Sequence, residues 1–199
     1  SVLLPKLELQ DTPMIITTTQ TDDDLRGLLA LQQRNQVRNL SPDEQREQGF
    51  VTLTYTFEQM KRMHEAAPTV IAKAGDEVVA YAITTVPEVR NDVPELSALF
   101  DLIDTLPYEG KPLATYPYYV VGQVCVDVRY RGKGLFDALY EYHKLLYQNR
   151  YRLFVTDIAS RNARSIRAHE RVGFKSVHSF LEPTANETWE VVVWDWQRL

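Results

Sequence analysis

The sequence predicts a mixed α/β domain built around a central sheet. Short apolar, β-branched segments alternate with segments of helical periodicity along the chain. The strongest strand segment, 118–128, is nearly all apolar, which is typical of a central strand buried on both faces. A length of 199 residues suits one ordinary domain, so we expect residues 1–199 to form a single unit.

The first part of the chain contains three helix starts and three strand segments. A β-branched segment at 14–20 predicts the first strand. Thr21 is a typical N-cap residue, and the three aspartates that follow it suit the first turn of a helix better than a metal cluster. The sequences SPDE at 41–44 and TFEQ at 56–59 have the pattern of capping boxes and start two further helices. Residues 69–86 predict two strands joined by a Gly-Asp turn.

An insert at 87–117 interrupts this alternation. It predicts a helix that begins at Asp92 and ends before Pro107, followed by a long loop of a type that often has a function. The rest of the chain alternates strands and helices and includes a right-handed β-α-β unit. The predicted segments are a helix from Gly134 to about residue 148, a strand at 152–159, a helix at 160–174 and strands near 176–182 and 188–196. We expect a sheet of about six or seven strands flanked by about four or five helices, with the helical insert at 87–117 in addition.

Composition limits the class of protein. Cys125 is the only cysteine, so an internal disulfide is excluded and a reducing, cytoplasmic compartment is the simplest location. No segment reaches the ~18 apolar residues that are needed to cross a bilayer. The opening residues 1–10 lack the pattern of a signal peptide. We therefore expect neither a membrane partner nor a secreted protein.

Charge is distributed unevenly along the chain. The net charge is −5, yet residues 129–175 contain eleven Lys and Arg against four acidic residues. Such a separation creates a local positive field on an acidic protein, although a solvated basic face explains the charge equally well. The overall acidity and the lack of a recognised motif argue against nucleic acid as a partner.

The basic segment begins with a small turn, RYRGKG at 129–134, which connects the strand at 118–128 to a helix. Gly132 and Gly134 allow a ligand to approach the backbone closely and can adopt positive φ. The first amides of the helix have no partner within the helix and, together with the helix dipole, favour an anion. The turn therefore predicts a phosphate or pyrophosphate site. A basic turn without a ligand is the alternative.

Two common nucleotide motifs do not fit this turn. Leu135 stands where a P-loop needs a hydroxyl, and Asp137 replaces the third glycine of the dinucleotide fingerprint. The pattern Arg129-x-x-Gly132-x-Gly134 instead resembles the acyl-CoA-binding signature of the GNAT superfamily of N-acetyltransferases. Downstream, DIASRNARSIRAHERVGF resembles the next strand and helix of that family, with an Asn at the helix start and a Gly-Phe pair at its end.

The resemblance implies a GNAT-like twisted mixed sheet with a CoA-binding core at 118–175 and the insert 87–117 near the acceptor side. In the family, the strand before the turn and the strand after its helix separate at one end, and the pantetheine arm of the cofactor pairs with strand backbone there. The pyrophosphate lies on the amides of the turn. The cofactor-binding residues implied here are Val124, Val126, Arg131, Gly132, Lys133, Gly134, Leu135, Phe136, Asn162 and Ser165. The family often has another glycine at Phe136, so we expect its ring to pack away from the phosphates, against the neighbouring strand.

The activity implied is transfer of an acetyl group from acetyl-CoA to a primary amine of an unidentified small molecule, directly and through a tetrahedral intermediate. His169 stands where the family usually has a tyrosine, and we expect it to protonate the leaving thiolate. The backbone amide of Val126 suits the oxyanion. The general base is not evident: Asp127, Tyr118, Tyr119 or a backbone-held water are candidates, and fixing the loop is the favoured role for Asp127.

Several alternatives stay open at this point. The acceptor could be a protein lysine or N-terminus, or the protein could be a non-catalytic acyl-CoA-binding regulator or an unrelated nucleotide-phosphate module. A homodimer through the apolar last strand is also open. We expect no metal in the mechanism. Cys125 lies in a buried strand without an evident activating base, so we expect a core residue and not an acyl-enzyme nucleophile.

Overall fold

The computed structural model describes residues 12–36, 39–48 and 51–197, and for residues 46–48 only the backbone. The segment 1–10, for which the sequence argues against a signal peptide, lies outside the described residues. Within the described ranges, no helix combines the length and the apolar character needed to cross a membrane.

Nine strands occur in the described residues, seven of them in one sheet. They are β1 (Met14–Thr18), β2 (Val70–Ala74), β3 (Glu77–Thr85), β4 (Pro107–Tyr108), β5 (Lys111–Pro112), β6 (Tyr118–Val126), β7 (Leu153–Ala159), β8 (Lys175–Glu182) and β9 (Glu187–Asp195). The sheet has the order β1-β2-β3-β6-β7-β9-β8, and β4 and β5 form a separate hairpin. The pair β6 and β7 is parallel, and the other neighbours in the sheet are antiparallel. The predicted mixed sheet is confirmed.

Six α-helices occur in the described residues, five outside the insert and one within it, in agreement with the prediction. They are α1 (Asp22–Arg34), α2 (Pro42–Gln48), α3 (Phe57–Ala66), α4 (Ser97–Thr105), α5 (Leu135–Tyr147) and α6 (Ala163–Val172). The two predicted capping boxes, at Ser41 and Thr56, are confirmed, and the predicted N-cap Thr21 forms a third. Each of these residues accepts from the third helical amide, while that residue's side chain accepts from the cap amide.

The insert is less regular than the sequence predicts. The expected helix ends before Pro107 as predicted, but it begins at Ser97 and not at Asp92, because two 3-10 segments, Pro87–Asp92 and Pro94–Leu96, precede it. A proline in each segment lacks an N–H donor, which disfavours a continuous α-helix. The apolar positions of the predicted face are nevertheless buried, among them Leu99, Phe100 and Ile103. The hairpin of β4 and β5 was not predicted.

The feature that places the site is a gap between β6 and β7. The two strands pair only at Tyr118–Val120 with Leu153–Val155. Next along β7, the Thr156 side chain donates through Oγ1 to the Val121 carbonyl, at 3.0 Å. Beyond that bond the strands have no further pairing, although β6 continues beside β3 and β7 continues beside β9. The separation implied by the family resemblance is therefore present.

An ion-pair network fixes the turn that follows β6. The buried carboxylate of Asp127 accepts hydrogen bonds from the backbone amide and the guanidinium of Arg129, and from Arg34 Nη2 at 3.2 Å. Burial would raise the pKa of Asp127, but these hydrogen bonds outweigh it and lower the pKa to about 2. Arg129 also pairs with Glu77 on β3. Asp127 thus fixes the loop, as the sequence favours.

We expect Asp127→Asn to lower the free energy of unfolding at about pH 7 by about 2 kcal/mol, because two arginines lose their buried partner charge. The folded pKa lies below the ordinary value of 3.8, so this stabilisation is present above that value and is lost as the pH falls towards about 2. Urea unfolding across this pH range measures the effect.

Asp76→Asn, in the exposed turn between β2 and β3, is the matched control and is expected to leave stability nearly unchanged. Equal stability losses in the two variants, or a loss from Asp127→Asn that is the same at every pH, would contradict the role of the network.

Candidate functional site

Two cavities lie along the gap and share part of their lining. The larger, of about 580 Å³, lies at the turn after β6 and is called the turn cavity here. The smaller, of about 250 Å³, lies between β7, α4 and the β8–β9 hairpin and is called the insert cavity. Val51, Val124, Asn162 and Ser165 line both. The two cavities therefore meet at the gap.

The turn cavity is built on glycine conformations and a free helix start. Gly132 and Gly134 have φ of 72° and 78°, in the left-handed region that favours glycine. Gly134 is the N-cap of α5 and has no side chain to cap the helix amides. Together with Leu135 and Phe136, these glycines line the cavity. This leaves the dipole and unpaired amides of α5 directed at the cavity, as an anion site requires.

The backbone of β6 presents unpaired groups to the gap. The Asp127 amide donates to the Val79 carbonyl on β3, at 2.9 Å. In an antiparallel ladder the direction alternates, so Cys125 bonds towards β3 while the N–H and C=O of Val124 and Val126 point to the gap. Consistent with this, the Val126 carbonyl accepts from Arg131 Nε at 3.2 Å. Val124 and Val126 thus form a strand edge that an extended ligand can pair with.

Positive charge surrounds the turn cavity. Its lining includes Arg131 and Arg164, and burial followed by the repulsion of Arg164 lowers the pKa of Arg131. Two neighbouring cations in a partly buried cavity favour an anionic ligand. Lys133 does not line this cavity: its side chain is exposed, with the ammonium 6.0 Å from the Tyr130 ring centroid. The prediction for Lys133 therefore rests on its backbone amide.

The start of α6 lies at the junction of the two cavities. Asn162 is buried and caps the helix, with Oδ1 accepting from the Ser165 amide at 3.4 Å. Both side chains line both cavities, so the helix cap also holds two polar groups beside the gap. The structure thus brings together the predicted residues of β6, the turn and α6.

His169 is buried and engaged at both ring nitrogens. Nδ1 lies 2.7 Å from the Ser165 carbonyl, which can only accept, so Nδ1 carries the proton. Nε2 then accepts from the Tyr140 hydroxyl, at 2.6 Å. Burial lowers the pKa of His169 to about 4, so the imidazole is neutral near pH 7. His169 lines the insert cavity. Its role as general acid stays a prediction.

The ring contacts of Phe136 are with residues of α5 and α6, whereas we expected the neighbouring strand. Its ring lies edge-on to His169, with 5.0 Å between centroids, and 5.1 Å from the Tyr140 centroid. Phe136 is the second residue of α5, and its side chain is directed towards α6. Phe136 therefore separates His169 from the turn cavity.

The insert cavity is acidic. Asp157 of β7, Glu95 of the second 3-10 segment and Glu182 of β8 line it, and no Lys or Arg occurs among its described lining residues. Burial raises the pKa of Asp157 to about 6. Among the described residues, its carboxylate forms no ion pair with a cation. A carboxylate with a pKa near neutrality at the edge of the gap has the properties of a general base.

The other base candidates lie elsewhere. The described residues that line the insert cavity do not include Tyr118, Tyr119 or Asp127. Burial raises the pKa of Tyr118 to about 12, and Tyr119 stacks on Phe154 in the aromatic core with 4.2 Å between centroids. Burial also raises the pKa of the Cys125 thiol to about 12, so it is protonated near neutral pH and behaves as a core residue.

The sequence analysis missed Asp157, Glu95 and Glu182. One signal was available, because Asp157 is the only charged residue inside the apolar part of the segment RLFVTDIA. A lone carboxylate in a buried strand carries a desolvation penalty that a functional site explains. No local sequence signal marks Glu95 or Glu182, because only the fold brings the insert and the β8–β9 hairpin together.

Comparison with known proteins identifies the family of the chain. The family described as "Acetyltransferase (GNAT) family" matches residues 31–174. No curated protein matches the chain.

Three solved structures illustrate the shared fold. The ribosomal-protein-S18-alanine N-acetyltransferase from Escherichia coli is 15% identical, with a TM-score of 0.61 over 94% of this chain and 96% of that chain. Ard1 from Thermoplasma volcanium is 12% identical, with a TM-score of 0.64 over 93% and 99%. YncA from Salmonella typhimurium, solved with acetyl-CoA, is 16% identical, with a TM-score of 0.60 over 94% and 95%.

The family match covers more than half of the chain and includes β6, the turn, β7 and α6. These are the elements that form the gap and the turn cavity. The chain therefore belongs to the GNAT acetyltransferase family and is an acyltransferase.

Proposed function

We propose that the protein, as a single domain, transfers an acetyl group from acetyl-CoA to a primary amine of a small molecule. The observation that supports this most directly is the gap itself. The unpaired edge of β6 lies between a basic cavity at the turn and an acidic cavity at the insert. An anionic donor and a cationic acceptor can therefore meet at one place.

The donor side fits acetyl-CoA. Under this proposal the amides of the turn and of the α5 start hold the pyrophosphate, with Arg131 and Arg164 beside it. The backbone of Val124 and Val126 pairs with the pantetheine arm, and Asn162 and Ser165 contact it from the other side. That YncA was solved with acetyl-CoA supports the same ligand here.

The acceptor side supplies the base. The amine enters the insert cavity as an ammonium, and Asp157 takes its proton, directly or through a water. The neutral nitrogen then attacks the thioester carbonyl, and the N–C bond forms as the carbonyl electron pair moves to the oxygen. When this tetrahedral intermediate collapses, the C–S bond breaks, and the nitrogen loses its second proton, which neutralises the CoA thiolate. Asp157 returns its own proton to solvent. Val124 lines both cavities, whereas Val126 lines only the turn cavity, so we assign the oxyanion contact to the Val124 amide in place of the predicted Val126.

The hydrogen bonds of His169 limit its use as a proton donor. A neutral imidazole whose Nδ1 proton bonds the Ser165 carbonyl must break that bond before it can donate. A thiolate is also a weak base, with an ordinary thiol pKa of about 8.5, and leaves without strong acid assistance. We therefore propose that His169 mainly fixes the start of α6, and that protonation of the thiolate is its secondary role.

A small-molecule acceptor is favoured over a protein acceptor by the size of the insert cavity. Its volume of about 250 Å³ lies just below the range of roughly 300–1,000 Å³ that is usual for small-molecule sites. Residues 95–99 of the insert contribute to its wall, as the prediction that the insert shapes acceptor choice requires.

We expect Arg131→Gln to raise the Kd for acetyl-CoA about tenfold, because a charge-assisted contact to phosphate and the support of the Val126 carbonyl are both lost. Calorimetry with acetyl-CoA at two salt concentrations measures this. Arg26→Gln, an exposed cation on α1, is the control and is expected to change nothing. Unchanged affinity in Arg131→Gln, or binding of ATP without binding of CoA, would contradict the donor assignment.

We expect Asp157→Asn to lower kcat about a hundredfold or more while the Kd for acetyl-CoA stays unchanged. In the wild type, kcat/KM rises as the pH increases through about 6, because Asp157 must lose its proton to act as a base. The variant lacks that rise. Rates of thiol release over a pH series provide the measurement.

The other groups facing this cavity do not account for a rise near pH 6. Burial lowers the pKa of His169 to about 4, and backbone amides of Ala185 and Thr184 lower the pKa of Glu182. Asp76→Asn serves as the remote control. If Asp157→Asn retains both the rate and the pH profile of the wild type, the base assignment is wrong.

A further inference from the structure

The insert cavity carries more negative charge than the transfer reaction needs. A single base is enough to deprotonate an amine, yet three carboxylates line this cavity. Asp157 lies deep enough that burial raises its pKa, whereas backbone amides hold the pKa of Glu182 low. Glu95 is exposed. Glu95 therefore lies nearer to solvent than Asp157 and Glu182, which are both half-buried.

Both glutamates are fixed without being neutralised. The carboxylate of Glu182 accepts from the backbone amides of Thr184 and Ala185, at 3.1 and 2.6 Å. Both oxygens of Glu95 accept from Gln59 Nε2, at 3.0 and 2.9 Å. These donors are neutral, so the negative charges stay available to a ligand. Fixed carboxylates bind a cation with a smaller loss of side-chain entropy than mobile ones.

An independent feature of the cavity also suits an alkylammonium. Phe180 and Trp189 pair across β8 and β9, are each partly exposed, and line the same cavity. Aromatic faces contact methylene groups well and attract ammonium ions. The apolar side chains of Leu96 and Leu99 belong to the same lining. The cavity thus combines apolar contact along its length with carboxylates at two depths.

We propose, resting on the proposed function, that the acceptor is a small diamine. Its reacting amine lies beside Asp157, its methylene chain contacts the aromatic and leucine side chains, and its second ammonium lies by Glu95 and Glu182. Glu95 and Glu182 are then the residues that determine acceptor choice, without taking part in the transfer itself.

Matched acceptors test this inference. Thiol release is measured with acetyl-CoA and diaminobutane, and with aminobutanol and butylamine, which lack the second ammonium. For the wild type we expect kcat/KM for diaminobutane to exceed that for aminobutanol about tenfold or more. A series from diaminopropane to diaminohexane is expected to show an optimum length.

Variants connect the preference to the two glutamates. Glu95→Gln and Glu182→Gln are each expected to raise the KM for diaminobutane several-fold, about fivefold, while the KM for aminobutanol stays the same. The double variant loses the preference. Glu141→Gln, an exposed position on α5, is the charge-matched control. An unchanged Kd for acetyl-CoA verifies that each variant is folded.

The outcomes separate this inference from the proposed function. If acetyl-CoA binds but no amine releases thiol, the proposed function is wrong. If diaminobutane and aminobutanol have equal kcat/KM in the wild type, the proposed function stands and the diamine inference fails. A preference that survives in the double variant removes the two glutamates from acceptor choice. A peptide N-terminus with a higher kcat/KM than every small amine would also overturn the inference.

Discussion

The site depends on the hydrogen bond that ends the pairing of β6 and β7. After Val120 and Val155, the Thr156 hydroxyl takes the Val121 carbonyl in place of a backbone amide, and the strands then separate. Each edge of the gap is held from outside, because β6 stays bonded to β3 and β7 to β9. The backbone groups of Val124 and Val126 that point to the gap are therefore held on a rigid framework, and little ordering is required when a ligand pairs with them.

Charge divides along the same gap. The turn cavity combines helix amides with arginines, and the insert cavity combines carboxylates with aromatic rings. This division explains the uneven distribution of charge in the sequence, where a basic segment of net +7 lies within an acidic chain. The same division directs an anionic donor to the turn cavity and a cationic acceptor to the insert cavity, so that the two reactants of the proposed reaction meet at the gap. The network of Asp127 with Arg34 and Arg129 keeps the turn in place between them.

Sequence reasoning was most successful where the structure is local. The capping boxes, the turn with Gly132 and Gly134, and the cap at Asn162 all depend on neighbouring residues, and their patterns are visible in the chain. The insert was expected near the acceptor side, but the three carboxylates there were not predicted, because Glu95, Asp157 and Glu182 come from segments that only the fold brings together. The ring of Phe136 was misplaced for a similar reason, since its contact with His169 depends on how α5 and α6 pack.

Residue-resolved hydrogen exchange with and without acetyl-CoA tests the central claim, that the open edge of β6 binds the donor. The amides of Val124 and Val126 face the gap, whereas that of Cys125 bonds to β3 and provides an internal control. We predict that acetyl-CoA slows exchange at Val124 and Val126 about tenfold or more, and leaves Cys125 nearly unchanged. Saturating acetyl-CoA that leaves the exchange of Val124 and Val126 unaltered would contradict the account.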